Sequence, residues 1–329
     1  MRIRTDFRSL VKGYQRMAFY VGNFSRYFLP DAIFRGIYRG DIGRLTEEDR
    51  AEINRRVDYY VRLRNGVRVD ESTAVSVGEF LFPWKAKHKF TTYFFDLFEC
   101  VRCFPKTWRF SYRFGDVDWN FDSPTFAKTR PICSGDSNTV VMPLNKVRHL
   151  RFITDPRSFR DKKDMMVFRN VVRNQPHRSL LLEKFIDHPM CDVGQINHDA
   201  TDPRFIKPYL PMEDQLDFKF IASIEGNDVA TNLKWVMSSN SVAVMPRPRI
   251  ESWFMEGTLI PDYHYIEVKP DYSDLIEKLN YYIANPDKAE AIISHAHAYV
   301  DRFRNRDREM LIGRMTAARY FQLTGQIKS

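Results

Sequence analysis

Apolar positions along this chain change their spacing about halfway. Between Leu45 and Asn65 they recur at helical intervals, with Ile53, Val57, Tyr60 and Val61 at i, i+4, i+7 and i+8. Thr46 can cap that helix, Glu47, Glu48 and Asp49 suit its positive end, and Gly66 is the expected stop. Residues 67–160 read instead as short strand-like pieces (VSVGEFLF, RFSYRF, NTVVMPL) between polar loops. From about residue 164 strands and helices alternate. DMMVF predicts a buried strand, followed by a basic loop and the apolar run SLLLEKFI. FKFIASI predicts a second strand ending at Gly226 and leading into a helix, VATNLKWVMSS. VAVM predicts a third strand, IESWFMEG a short helix and YHYIEV a fourth strand. SDLIEKLNYYIA predicts a helix capped by Ser273, and after the break at Asn285-Pro286 two more helices are expected over 287–303 and 307–323.

This alternation points to an α/β protein whose C-terminal half is Rossmann-like, a parallel sheet with crossover helices. No G-x-G-x-x-G accompanies it, so NAD and FAD have no support. With 329 residues, 43% of them apolar, the chain can build its core without disulfides or metals. It has no apolar run of transmembrane length, and its N-terminus lacks the apolar core of a signal peptide. A cytoplasmic globular protein is the expectation. Cys100-x-x-Cys103 has zinc-ligand spacing but no second pair of ligands nearby, and FFDLFECVRCF reads as a buried helix, so core cysteines are expected. His295 and His297 fall on different helix faces and read as structural.

The net charge of +9 calls for an anionic partner, and its excess is concentrated in residues 1–44, with nine basic side chains against three acidic ones. Nine Phe and Tyr, from Phe7 to Tyr38, are interleaved with them. Two readings stand side by side: a segment lying on an anionic membrane surface, or a basic face whose aromatics enter the core. No nucleic-acid-binding pattern accompanies the charge, so a nucleic acid partner is not expected.

Three stretches carry candidate chemistry. In residues 218–245 the expected turn at Gly226, Asn227 and Asp228 opens a helix whose free N–H groups suit a diphosphate, with Thr231, Asn232 and Lys234 in its first turns. Asp228 reads equally well as a plain helix cap. In FRNVVRNQPHR, Arg169, Arg173 and Arg178 follow a strand where open parallel sheets bind ligands, and arginine forks match phosphate oxygens. In YRFGDVDWNFDSPTFAKTRPI, Asp116, Asp118 and Asp122 crowd a turn beside Lys128 and Arg130. One carboxylate there can serve as a general base, and Asp116-Val117-Asp118 also spells the D-x-D by which other transferases hold a divalent metal.

Taken in order, FAKTRPI, NTVVMPLNKVRH, VFRN…PHR, KFIASIEGNDVATNLKW and ESWFMEGTLIPDYHYIEVKPDYSDL resemble glycosyltransferase family 90, from about Phe110 to Arg302. That family includes fungal capsule xylosyltransferases, animal protein O-glucosyltransferases and bacterial lipopolysaccharide glycosyltransferases. The resemblance implies a GT-B architecture, two facing Rossmann-like domains, here divided as 1–160 and 161–305 with a C-terminal helix over 306–329. It also implies inverting transfer from a UDP-sugar without a metal or other cofactor. Asp116 occupies the place of the family's base, and Arg169, Arg178 and the 227–234 segment would hold the departing diphosphate. Glu251 and Glu256 match an acidic region suited to donor hydroxyls. Animal members carry Arg-Gly where this chain has Arg169-Asn170, and an arginine near Asn232 or Lys234, so Lys234 would take over that role. The expected acceptor is a lipid-linked or cell-surface glycan such as lipopolysaccharide core, reached at the inner face of the membrane. The alternatives are a metal-dependent D-x-D transferase and a non-catalytic glycan- or nucleic-acid-binding protein on the same fold.

Overall fold

The computed structural model describes residues 17–82 and 90–327; the expectation for residues 1–16 lies outside them. The chain opens with three helices, α1 (residues 17–27), α2 (Asp31–Gly43) and α3 (Glu47–Tyr60). Thr46 caps α3 by accepting the Asp49 N–H at 3.1 Å. Ile53, Val57 and Tyr60 are buried as their spacing predicts, each worth about 1.5–3 kcal/mol. The helix ends at Tyr60 rather than Asn65, because Val61 is already extended; Gly66, at φ 74°, belongs to the turn beyond.

The first sheet is built from β1 (Val75–Ser76), β2 (Arg109–Tyr112), β3 (Thr125–Ala127) and β5 (Thr139–Val141), in that spatial order, with α4 (Thr91–Val101) between β1 and β2 in the chain. β2, β3 and β5 are mutually parallel, and β1 closes the edge antiparallel. α4 is buried almost throughout, Cys100 included, and Cys103 is buried just after it, as expected of core cysteines. β4 (Thr129–Pro131) leaves this sheet and α5 (Lys146–His149) follows β5.

The second sheet contains β6 (Lys163–Asn170), β7 (Cys191–Gln195), β8 (Phe218–Ala222), β9 (Val242–Met245) and β11 (Ile266–Glu267). Its helical connections include α6 (Pro176–Phe185), α7 (Met212–Gln215) and α8 (Leu233–Val236). All its pairings are parallel, in the order β11-β9-β8-β6-β7. The winding direction therefore reverses between β6 and β8, and crevices for ligands open at the carboxyl ends of strands at such a reversal. β8 and β9 are buried along their whole length, the mark of a sheet covered on both faces. β10 (Ile250–Ser252) leaves this sheet and pairs antiparallel with β4, setting Glu251 opposite Arg130 and joining the two halves. α9 (Leu275–Ala284) and α10 (Pro286–Asp301) pack on the second sheet, while α11 (Arg306–Leu323) returns to pack on α2, α3 and α4.

Four expectations need correction. The strand at 218 stops at Ala222, not Gly226, and the expected helix over 229–239 is the single α-turn α8. Local bonds account for this: Gly226 N–H donates to Asp228 O, and Asn232 Nδ2 donates to Ala222 O, which gives the backbone an alternative to helix. IESWFMEG is not a helix but β10 followed by one 3-10 turn at Glu256–Thr258. The residue flanking α9 is Asp274, without a side-chain cap bond, and not Ser273. β7, at the sheet edge, had no strand prediction at all.

Candidate active site

Both sheets turn the carboxyl ends of their parallel strands toward one place. From the first sheet come the turn after β2, with Gly115 at φ 108° and Asp116 next to it, and Lys128 between β3 and β4. From the second come Asn227 and Asp228, in the loop after β8. Lys128 Nζ lies 2.9 Å from Asp116 Oδ1 and 2.5 Å from Asp228 Oδ2. Thr129 Oγ1 donates to Val117 O at 2.7 Å and lies 3.3 Å from Asp228 Oδ2, so it ties the Asp116 turn to the same group.

The two carboxylates meet different surroundings. Partial burial pushes Asp116 upward, but the hydrogen bond and charge of Lys128, the charge of Arg148 and a bond from Asn227 outweigh it and hold the group below the ordinary aspartate range. Asp228 is buried, and that burial together with the charge of Asp116 raises it to about 6 although Lys128 and Lys234 oppose the shift. Carboxyl pairs driven apart in this way divide naturally into an ionised base and a partner that takes up a proton. Asp116 remains half exposed, within reach of an incoming hydroxyl.

α5 supplies two residues that the sequence had not singled out. Arg148 is exposed, and its guanidinium has no hydrogen bond or ion pair among the described residues, yet its charge is felt at Asp116. His149 is buried with both ring nitrogens unpartnered, and burial plus Lys128, Lys234 and Arg148 press it well below its ordinary value, so it is neutral. The sequence signal for Lys128 was its place close after the Asp116–Asp122 turn, and the structure sets it between two short strands, β3 and β4.

The expected phosphate ligands are placed differently. Arg178, from α6, donates to the carbonyls of Glu225, Val171 and Ile224, each at 2.8 Å. Burial pulls its pKa down to about 10, which leaves it charged at neutral pH. It presses against Gly226, where an added Cβ would sit 3.0 Å from the guanidinium. Arg169 donates to Asp192 and to the Phe168 carbonyl. Lys234 is buried against Glu256 at 2.5 Å, and Glu256 also receives Ser252 N–H and Oγ–H. Glu251 is fully buried between Arg130 and Tyr59. These side chains shape the loops, with most of their polar atoms already engaged; Arg169 Nε is buried without a partner. No helix N-terminus stands at 227, because α8 begins only at Leu233 and is one turn long. Thr231 is half-buried, and Asn232 Oδ1 is buried without a partner.

Beside this loop lies a cavity of about 710 Å³, its open mouth included, at the ends of β8 and β9. Ser223, Glu225, Val229, Leu233, Met245 and Arg247 are among its lining residues. Ser223 Oγ is buried and unpartnered, so a ligand entering here meets a free hydroxyl on an otherwise largely apolar wall. Among the described residues no group of three or more His, Cys, Asp or Glu is arranged to hold a metal ion. Asp118, the second carboxylate of the D-x-D, is exposed, while Asp116 is turned to Lys128.

The family model for glycosyl transferase family 90 matches residues 141–308. The chain is 36% identical over 313 residues to O-glucosyltransferase LpsA of Dichelobacter nodosus, an alignment covering 94% of this chain and 96% of that protein. It is also 29% identical over 137 residues to uncharacterized protein 179R of Invertebrate iridescent virus 6, which covers 40% of this chain and 11% of the viral protein.

Proposed function

Since the chain belongs to glycosyltransferase family 90 and is a glycosyltransferase, we propose that it moves a sugar from a UDP-sugar, with inversion, onto a hydroxyl of a lipid-linked or cell-surface glycan such as lipopolysaccharide core. A cytoplasmic enzyme of GT-B type is part of this reading. The observation that carries it is the Asp116–Lys128–Asp228 cluster, where the two sheet edges meet. The relative's name makes glucose the first sugar to try.

In this reading the acceptor oxygen attacks the anomeric carbon from the side of Asp116. The new C–O bond forms as the bond from that carbon to the diphosphate breaks, and the acceptor proton passes to the Asp116 carboxylate. Lys128 holds that carboxylate in place and ionised. The nucleoside occupies the cavity at the ends of β8 and β9, where Ser223 Oγ lacks a partner, and Asn232, whose Oδ1 is also unpartnered, lies in the adjoining loop. The charge growing on the diphosphate is met by Arg148, whose guanidinium is free among the described residues, and by backbone N–H groups of the 223–232 loop. Arg178 and Gly226 fix the path of that loop, and Asn227, Asp228 and Thr231 give it its polar edge. Arg169, Lys234, Glu251 and Glu256 act behind this layer.

Thermal unfolding with UDP, GDP, CMP and several UDP-sugars, each with and without EDTA, tests the reading. Stabilisation by UDP and one UDP-sugar, indifferent to EDTA, is expected. Stabilisation that EDTA removes would transfer the role to a metal held at Asp116 and Asp118, and no response to any nucleotide would sink the donor assignment.

A further inference from the structure

Fourteen large apolar side chains stand exposed among the described residues, and six of them fall between positions 17 and 37: Met17, Val21, Phe28, Leu29, Ile33 and Ile37. Each exposes 44% to 70% of its surface. On α2 the segregation follows helical geometry. Phe34, Tyr38 and Ile42 turn toward the body, while Ile33, Gly36, Ile37 and Gly40 share the outer face. Among the described residues, a Cβ added at Gly36 or Gly40 would meet nothing within 4 Å, and the same holds at Gly22 on α1. The aromatics of α1 go the other way: Phe24 packs edge-on to Phe82 and Phe95, and Tyr27 lies against Phe94 and Phe98.

The ridge is held rigidly. Arg102, almost wholly buried, donates to Asp31 Oδ1 at 2.9 Å, Arg26 O at 2.8 Å and Leu29 O at 2.7 Å, and its guanidinium lies 3.8 Å from the Phe34 ring centre. This fixes the elbow between α1 and α2. The same bonds decide the charge of the surface. Asp31 is engaged by Arg102 and Lys106, and Asp41 faces Arg314 at 3.7 Å. Arg26, Arg35, Arg39 and Arg44 are exposed with no acidic partner among the described residues. Two such faces would repel each other, which disfavours a second copy as the occupant. Aliphatic side chains beside unneutralised arginines match the boundary of an anionic bilayer.

We propose that α1 and α2 seat the enzyme on an anionic lipid surface, with Ile33, Ile37 and their neighbours entering the acyl boundary and Arg39, at the flank of that face, and Arg44, at its end, at the headgroup phosphates. The proposal deepens the transferase reading and rests on it only for purpose: the surface belongs to the half of the molecule that carries Asp116, where a lipid-linked acceptor would arrive.

Sedimentation of the full-length protein with phosphatidylglycerol–phosphatidylcholine vesicles tests it, with pure phosphatidylcholine as the comparison. Binding to the anionic vesicles, weakened by salt, is expected. Ile33→Ser/Ile37→Ser should lower the partition coefficient roughly tenfold or more through lost apolar burial. Arg39→Gln/Arg44→Gln should lower it by a similar factor on anionic vesicles only. The thermal shift with UDP should be the same in all three proteins, which separates this surface from the donor site. Undiminished binding by the Ile33→Ser/Ile37→Ser protein, or equal binding to neutral vesicles, would overturn the proposal. So would a concentration-dependent dimer abolished by the same double substitution, which would give the face to a second copy. Vesicle binding without any UDP response would leave this inference standing and remove the donor reading instead.

Discussion

Lys128 and Arg130 stand two positions apart, and each reaches across to a carboxylate from the second half of the chain, yet they do opposite work. Arg130 and Glu251 face each other in the β4–β10 ladder, both fully buried, 2.7 Å apart. Arg130 also donates to the carbonyls of Tyr59 and Tyr60, Glu251 accepts from the Tyr59 hydroxyl, and the Arg62 guanidinium stands 3.8 Å from the same carboxylate, so its charge is fully answered and the polar atoms are largely satisfied. Lys128 is as deeply placed but has two carboxylates to serve, Asp116 and Asp228, one of them half open to solvent. One negative charge is left over. A balanced pair holds two halves together; an unbalanced one is ready to accept a proton. The difference lies in the count of partners and in access, not in residue type.

That contrast can be broken most forcefully at Asp116. Asp116→Asn should lower turnover by about 10²–10⁴-fold, the usual contribution of a general base, while UDP binding and the urea midpoint stay near those of the parent. Residual turnover close to wild type would move the base elsewhere. Next in size comes the balanced pair. Arg130→Met leaves Glu251 buried with only the more distant Arg62 for a cation and should cost about 3 kcal/mol of stability in urea unfolding. Arg130→Met/Glu251→Leu should recover much of that loss, because replacing a whole buried pair by apolar groups is often close to neutral. If the double variant is no better than the single one, the pair is doing more than joining the halves.

The smallest effect sharpens the comparison through pH. Asp228 is raised to about 6 in the folded chain and returns to about 4 on unfolding. The folded state therefore binds the extra proton in that interval, and Asp228 favours folding most below pH 4 and loses this contribution as pH rises through 6. Activity runs the other way. Once Asp228 is protonated, the whole charge of Lys128 falls on Asp116 and weakens it as a base. The pH profile of kcat/KM should show an acid limb centred near 6 that Asp228→Asn removes, with a several-fold lower plateau. A limb below the ordinary aspartate range, unchanged by that substitution, would assign the titration to Asp116 alone.

Much of the fold was legible because its signals are local. The period of Ile53, Val57 and Tyr60, the run VAVM and the long helices after Pro286 needed only neighbouring residues. Asp116, Asn227 and Asp228 were also found from the sequence, and the structure brings them together. The remainder depended on distant partners. Nothing in FRNVVRNQPHR reveals that Arg178 is occupied by three backbone carbonyls, because backbone acceptors leave no trace in residue identity. Arg148 was overlooked for the converse reason: a cation is free only when its surroundings leave it so. The helix expected at 229 failed where side chains bonded to nearby backbone, a competition that an apolar pattern does not record. In the N-terminal region the basic and aromatic residues left two readings open, and the structure turns Phe24, Tyr27, Phe34 and Tyr38 inward while Phe28, Leu29, Ile33 and Ile37 face outward.

The return of α11 to the first helices has a bearing on how the molecule is made. Arg56 on α3 donates both its terminal nitrogens to Glu309, which also accepts from Trp253, and the two partners lie 253 positions apart. At roughly 5–20 residues per second, translation separates them by about 13–50 s. Throughout that interval the nascent chain holds α3 without the carboxylate that neutralises its inward-facing guanidinium. The first helices therefore cannot settle on the ribosome in their final form, however early they emerge. Glu309 acts as a late-arriving latch, and the two halves of the molecule mature together when it closes.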